Sequence, residues 1–483
     1  MNNAGKGYNP KVAQMCRIFQ LHSLSFFTCV AIYFGGAVKV IEAQESTQFN
    51  QTYEKILFLA VFFLFTVFLS LVTYFYMNRV IHATKKPKSI KFRILLICLW
   101  STFTFVPSIL DYSNLSTFVS RYFYFFGVGH LMPNFVDLRG TLAAMNTVNA
   151  VGDSFQIQCD ATREPCLGWR WTYGSFILRI PNMGIFVESN TKYIAVFLFA
   201  SLMYWIISTC RSDLELKLYM AFAFTGTSLL IVERMNIDIL TLPLVILISR
   251  LDRMKGLIRL LTFGFLLAFT LTKYYTAPLI YFFFIRRPKK EALVYLIFSV
   301  IALPIIYKDI RAANLDSFDF GYAATYGFKV LLGLFSGSAN PTFGSSIWIA
   351  LVGITFFLFL CLLFFNLYTK EARIVKLEQS DLILFQAAFI LFFTTWLVST
   401  NYPYRLTATL VFIPLLTRVF RNSIEYLALN LSLLFATYAG IHITLSLVRN
   451  VFILFLLASL VAILASQYMA KKTSASVSIR CSP

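Results

Sequence analysis

The residues of this chain that could do chemistry fall in a few short stretches. Asp137 and Arg139 open the first, and Asp153 follows in the same polar segment. The second reads Glu233-Arg234-Met235-Asn236-Ile237-Asp238, the third Lys273-Tyr274-Tyr275, and the fourth Tyr404-Arg405. A carboxylate standing alone can act as a general base on a hydroxyl. Cations gathered near it can hold a phosphate and steady the charge of one that leaves. Other chemistries lack their signatures. There is no Gly-rich phosphate loop after a strand, no H-E-x-x-H and no nucleophile elbow. The histidines (His22, His82, His130, His442) are scattered, and no cysteine spacing suits a metal, so neither a metal nor a cofactor is expected.

The elements that must position these residues are membrane helices. Of 483 residues, 58% are apolar, 17% aromatic and 13% charged, and the mean hydropathy is +0.71. Runs of that length and hydrophobicity imply an all-α polytopic membrane protein, with length enough for roughly 11 to 14 spans. The net charge of +20 is not a nucleic-acid signal. Lysines and arginines cluster in short links between apolar runs, as the positive-inside rule requires.

One membrane domain is expected over the whole chain. Three N-terminal spans occupy 19–112, and the first is too long for a cleavable signal. The stretch 113–191 is a large outer loop, and its polar island (137–181) holds Asp137, Arg139, Asp153, Asp160, Arg163, Glu164 and Arg170. Its aromatics argue against disorder. Within it Leu138, Leu142, Met145 and Val148 recur at helical spacing, which predicts an interfacial amphipathic helix over 137–149 stopping near Gly152. Further spans fill 192–307, where the runs 237–249, 259–272 and 276–285 are short for full crossings and read as tilted, broken or re-entrant. A second outer loop, 308–345, carries Asp309, Asp316 and Asp319. The C-terminal spans fill 346–470 and a cytoplasmic tail follows at 471–483. The basic links 78–93, 286–290 and 369–381 then lie inside, and isolated cations such as Arg449 lie outside.

Under this topology the polar stretches share the outer face. Ionisable groups at membrane depth are costly and mark function. Lys273 and Arg405 also suit the plainer role of snorkelling cations at helix ends, and Asp137 suits that of an N-cap. Taken together, an outward carboxylate, surface cations and a lipid-facing bundle fit transfer of a sugar from a polyprenyl-phosphate donor to a hydroxyl, with the phosphate leaving on its lipid. Cys159 and Cys166 are the cysteines expected in an oxidising compartment and are close enough for a disulfide around a turn, with two free thiols as the alternative.

Asp137, the amphipathic helix and Gly152-Asp153-Ser154-Phe155 resemble, in that order, the first outer loop of GT-C class membrane glycosyltransferases, above all glycosyltransferase family 87. ERMNIDIL (233–240) resembles that family's Arg-Gly-Asn-x-Asp stretch, with Met235 in the place of its glycine. LTKYYTAPLI (271–280) resembles its Lys-x-x-Pro stretch, and NYPYRL (401–406) its late Tyr-Arg element. The similarity covers roughly 130–420. It implies a GT-C-like bundle in a bacterial inner membrane, with its site facing the periplasm and a glycan or glycolipid acceptor. It implies an inverting transfer with Asp137 as base. Arg234, Lys273 and Arg405 would serve the donor phosphate, and Arg139, Asp153, Glu233, Asn236, Asp238, Tyr274 and Tyr404 would line the site. The competing readings are a transporter or flippase for lipid-linked glycans and an O-antigen polymerase or ligase. A transporter would carry midplane charges and repeated halves. A polymerase or ligase would carry its large loop late in the chain.

Overall fold

The computed structural model describes residues 135–151, 175–179, 186, 188–212, 215–216, 219, 226–285, 288–313, 343–370, 375–398, 403–420 and 443–480. Among these residues the chain is helical and has no strand. Among the described residues five helices are long and apolar enough to cross a membrane, with windows at Thr191–Thr209, Lys289–Asp309, Leu351–Thr369, Gln379–Leu397 and Arg449–Met469. The windows Lys289–Asp309 and Leu351–Thr369 are only 11% buried, so their apolar side chains need cover from lipid or from the rest of the chain. The expected spans of 19–112 lie outside the described residues.

The first described helix, α1 (Val136–Val151), matches the helical spacing of its apolar residues and ends one residue before Gly152. Leu138, Leu142, Ala144 and Met145 are buried. Asp137 is not an N-cap: it is the second residue of α1, and Phe135 (φ 61°) precedes the helix. The first long helix, α2 (Thr191–Thr209), is followed by α3 (Gly226–Arg234). The short run after it folds as a 3-10 turn, Ile237–Leu240, leading into α4 (Thr241–Ser249). Nearly every residue of that run is buried. A segment that is apolar on all sides belongs in a core, which accounts for its being too short to span.

The helix α5 (Gly256–Thr272) ends where Lys273 leaves helical geometry, and a 3-10 stretch, Tyr274–Phe283, folds back against it. The turn is fixed locally. Thr276 Oγ1 donates to the Lys273 carbonyl at 2.9 Å, and the Thr270 and Thr276 hydroxyls meet at 3.1 Å. Beyond it run α6 (Lys289–Ala313), α7 (Phe343–Lys370), α8 (Gln379–Val398), a 3-10 turn at Pro403–Val411, α9 (Phe412–Val419) and α10 (Ile443–Arg480).

Two expected boundaries differ. Asp309 stands on α6, which continues to Ala313, and not in a loop that begins at 308. The tail expected from 471 is helical to Arg480. The helices α7 and α10 pack together, and α4 packs on α8, which also meets the 3-10 segments Tyr274–Phe283 and Pro403–Val411. Arg449 and Asn450, near the start of α10, are fully enclosed.

Candidate functional site

Asn236 is the hub. It follows Met235, which holds the left-handed φ of 47°. That conformation costs a non-glycine residue about 1–2 kcal/mol, and it breaks the helix α3 so that the chain can turn. Asn236 then caps the next turn: its Oδ1 accepts the Asp238 N–H at 3.0 Å. Its Nδ2 reaches out of sequence and donates to Asp137 Oδ2 at 2.7 Å. A backbone bond from Phe135 N–H to the Glu233 carbonyl (3.2 Å) ties the start of α1 to the end of α3. Both left-handed residues therefore flank the junction that brings Asp137 to Asn236, and strain of this kind gathers where function over-determines the backbone.

Around this hub lie the charges. Arg234 Nη1 stands 4.0 Å from Asp137 Oδ1, and its Nε pairs with Glu233 Oε2 at 2.7 Å. Below them Lys273 Nζ pairs with Asp238 Oδ1 at 3.2 Å and donates to Asn236 Oδ1 at 3.3 Å. Tyr275 Oη donates to Asp238 Oδ1 at 2.5 Å. Exposure sorts the set into two tiers. The side chains of Asp137 and Arg234 are 13% and 15% exposed, whereas Glu233, Lys273 and Asp238 are at 1% or below. A ligand can touch the first two and not the last three. Burial raises the carboxyl pKa of Asp137 above the ordinary carboxylate range. The Arg234 charge and the Asn236 hydrogen bond pull against that rise, and Glu233 adds to it.

The structure thus brings Asp137, Glu233, Arg234, Asn236, Asp238 and Lys273 together. Arg139 lies two residues along α1, so it projects from a different face than Asp137. Tyr274 is set apart. Its hydroxyl is buried without a hydrogen-bond partner among the described residues, and the charge it feels is that of Asp309. The neighbouring Tyr275 is the one that joins the cluster. Tyr404 and Arg405 lie on the turn Pro403–Val411, whose backbone packs against α3 and the Asn236-capped turn. Asp153, Cys159 and Cys166 lie outside the described residues. Among the described residues no three His, Cys, Asp or Glu side chains gather to hold a metal.

Two polar clusters were not anticipated from the sequence. Asp309 on α6 accepts the backbone N–H of Ser175 at 2.7 Å and the Ser175 hydroxyl at 3.0 and 2.9 Å. A second lies far from Asp137. Arg418 binds Glu215 (2.7 Å) and Asp381 (2.9 Å), and Arg211 binds Asp381 (2.8 Å) and Glu378 (3.0 Å). The available signal was Arg418 itself, a cation set within the apolar run 406–420 rather than in the link beyond it. Comparison of the chain with protein-family models, with curated proteins and with solved structures finds no match.

Proposed function

We propose that this chain is an integral-membrane glycosyltransferase that moves a sugar from a polyprenyl-phosphate donor to a hydroxyl of a lipid-linked or glycan acceptor. The observation that carries the reading is the pairing of one partly open carboxylate with one partly open guanidinium. Asp137 Oδ1 and Arg234 Nη1 stand 4.0 Å apart, over a buried, charge-paired floor. A base for the acceptor hydroxyl and a cation within reach of the donor phosphate are what such a transfer needs. The left-handed Met235, where the family 87 stretch has glycine, adds support for a GT-C relationship. The proposed architecture is a GT-C-like bundle of about 11–14 spans. Its site faces outward from a bacterial inner membrane.

The acceptor oxygen attacks the anomeric carbon as Asp137 takes its proton. The bond from that carbon to the phosphate oxygen breaks on the opposite face, and its electron pair leaves with the polyprenyl phosphate. The configuration inverts. Arg234 steadies the leaving phosphate, and Arg405 is the second candidate for that task. Lys273, expected from the sequence to serve the phosphate, is enclosed and committed to Asp238 and Asn236, so it has no part in donor contact.

The test is reconstitution of the purified chain in vesicles with a panel of polyprenyl-phosphate sugars, following which donor is consumed. Asp137→Asn keeps the shape of the side chain and should lower kcat by about 10²–10⁴-fold, the contribution of a base acting in the transition state. A panel left untouched by the folded wild-type protein would sink the proposal. Full activity in Asp137→Asn would move the base elsewhere, with Asp153 the next residue to test.

A further inference from the structure

The Asn236 amide has only one way to face. Its Oδ1 accepts from two donors, the Asp238 N–H at 3.0 Å and Lys273 Nζ at 3.3 Å. Neither donor could bond an amide nitrogen, which has no acceptor lone pair to offer. The amide therefore presents Nδ2 to Asp137 Oδ2, at 2.7 Å. Lys273 is itself fixed. It is paired with Asp238 at 3.2 Å, and Asp238 Oδ1 also holds the Tyr275 hydroxyl. The ion pair is buried, with side-chain exposures of 1% and 0%, so it has little freedom to rearrange. The donors run in series from Lys273 through Asn236 to Asp137. Such chains polarise one another, and a cation at the head strengthens the last donor.

We propose that Lys273 and Asn236 are positioning residues that hold Asp137 Oδ2 and leave Oδ1, the oxygen beside Arg234, to receive the proton. This rests on the glycosyl-transfer reading for what the proton belongs to, and on geometry alone for which oxygen receives it. With Oδ2 engaged by Asn236, the remaining oxygen is the one beside Arg234, and both side chains keep part of their exposure, 13% and 15%. The acceptor hydroxyl is then directed to Oδ1, and Arg234 stands beside that oxygen. The charged side chains around Asp137 are Arg234, Glu233 and Lys273. Asn236 is the neutral link between the buried pair and the base.

The experiment reads the protonation of Asp137 directly. The full chain in lipid nanodiscs is treated with dicyclohexylcarbodiimide, which modifies protonated carboxyls, over a pH series, and the modified Asp137 peptide is quantified by mass spectrometry. Asn236→Ser keeps a capping oxygen for the Asp238 N–H and removes the amide donor. Its labelling midpoint should rise by about one pH unit or more, because a hydrogen bond to the charged form is lost. Lys273→Met combined with Asp238→Asn removes the buried pair without stranding either charge, and should raise the midpoint by less. If Asn236→Ser fails to fold, the double variant decides alone. In sugar transfer, with whichever polyprenyl-phosphate sugar the wild type consumes, both variants should lose kcat with the donor KM unchanged. An unmoved midpoint overturns the proposal. So does a double variant that raises the donor KM at constant kcat, which would put Lys273 on the phosphate. If the wild type consumes no donor on the panel, the glycosyl-transfer reading fails, and the midpoints still judge the relay.

Discussion

Asp137 sits between two neighbours that pull its proton affinity in opposite directions, and this gives a paired test at the level of single residues. A base works only when ionised, so activity should be low in acid and rise with pH through the Asp137 pKa. Burial lifts that pKa, so the acid limb should lie above the ordinary carboxylate value of about 3.9. Arg234 favours the ionised form. Arg234→Gln should push the limb to higher pH, whatever it does to donor binding. Glu233 favours the protonated form, so Glu233→Gln should pull the limb lower. The readout is kcat/KM against pH; shifts of the same sign in the two variants would mean that the limb reports another group. At this scale the sequence showed which residues were out of place and not what they touched. Glu233 to Asp238 stood out as polar residues in an apolar run. The enclosure of Lys273 by Asp238 and Asn236 had no signal, because burial depends on elements far apart in the chain. The choice of Tyr275 over Tyr274 turns on backbone type. In a 3-10 stretch successive residues are about 120° apart, so adjacent tyrosines serve different partners.

Short elements position the site, and their length is what made them partly legible. The helix α1 was readable from the spacing of Leu138, Leu142 and Met145. The runs 237–249 and 276–285 were readable as too short to cross, while their 3-10 character was not, since it is set by Asn236 capping and by the Lys273 turn. The extra helical length of α6 matters because it carries Asp309 to Ser175. The segment Ile177–Arg179 that follows Ser175 packs on α1, with Leu178 fully buried. Asp309 thus clasps α6 to the strand of chain that braces the helix bearing Asp137. Both partners are enclosed, Ser175 at 3% and Asp309 at 2% exposure. Asp309→Ala leaves the Ser175 N–H buried without its acceptor, a loss of about 1–3 kcal/mol. The expected result is local: faster hydrogen exchange over residues 175–179, with α4 and α8 as protected as before. Unchanged exchange at 175–179 would remove the clasp.

At the scale of the molecule, the two ends of the bundle carry different electrostatics. The short helix α4 begins beside Asp238 and is followed by Arg250, whose Nη2 donates to Ser208 at 3.1 Å near the end of α2. The Asp137 cluster and the Arg418 cluster, which also bonds Thr209, therefore lie toward opposite ends of a helix about 14 Å long. The Arg418 cluster fastens α2, α8 and α9 at that far end. Arg418→Met would leave Glu215 and Asp381, with side chains 5% and 7% exposed, short of a cation. Breaking such a buried arrangement costs about 3–5 kcal/mol. Arg211→Ala, at a side chain 45% exposed and paired in part with a carboxylate 66% exposed, should cost only about 0–1 kcal/mol. Thermal unfolding in detergent should rank them in that order, and equal losses would deny the cluster its fastening role. The same separation makes sidedness testable with described, exposed positions. Lys192 stands at the start of α2, near the Asp137 end, and Ser212 just beyond its other end. The proposed topology puts the Ser212 end inside the cell. In a background without reactive thiols, Lys192→Cys should take a membrane-impermeant maleimide in intact cells, and Ser212→Cys only after the membrane is opened. Labelling of both from one side would break the assignment of α2 as a span. A reversed pattern would place Asp137 and Arg234 in the cytoplasm, where soluble nucleotide-sugars compete with any lipid-linked donor, and the case for a polyprenyl phosphate would lose its main physical ground.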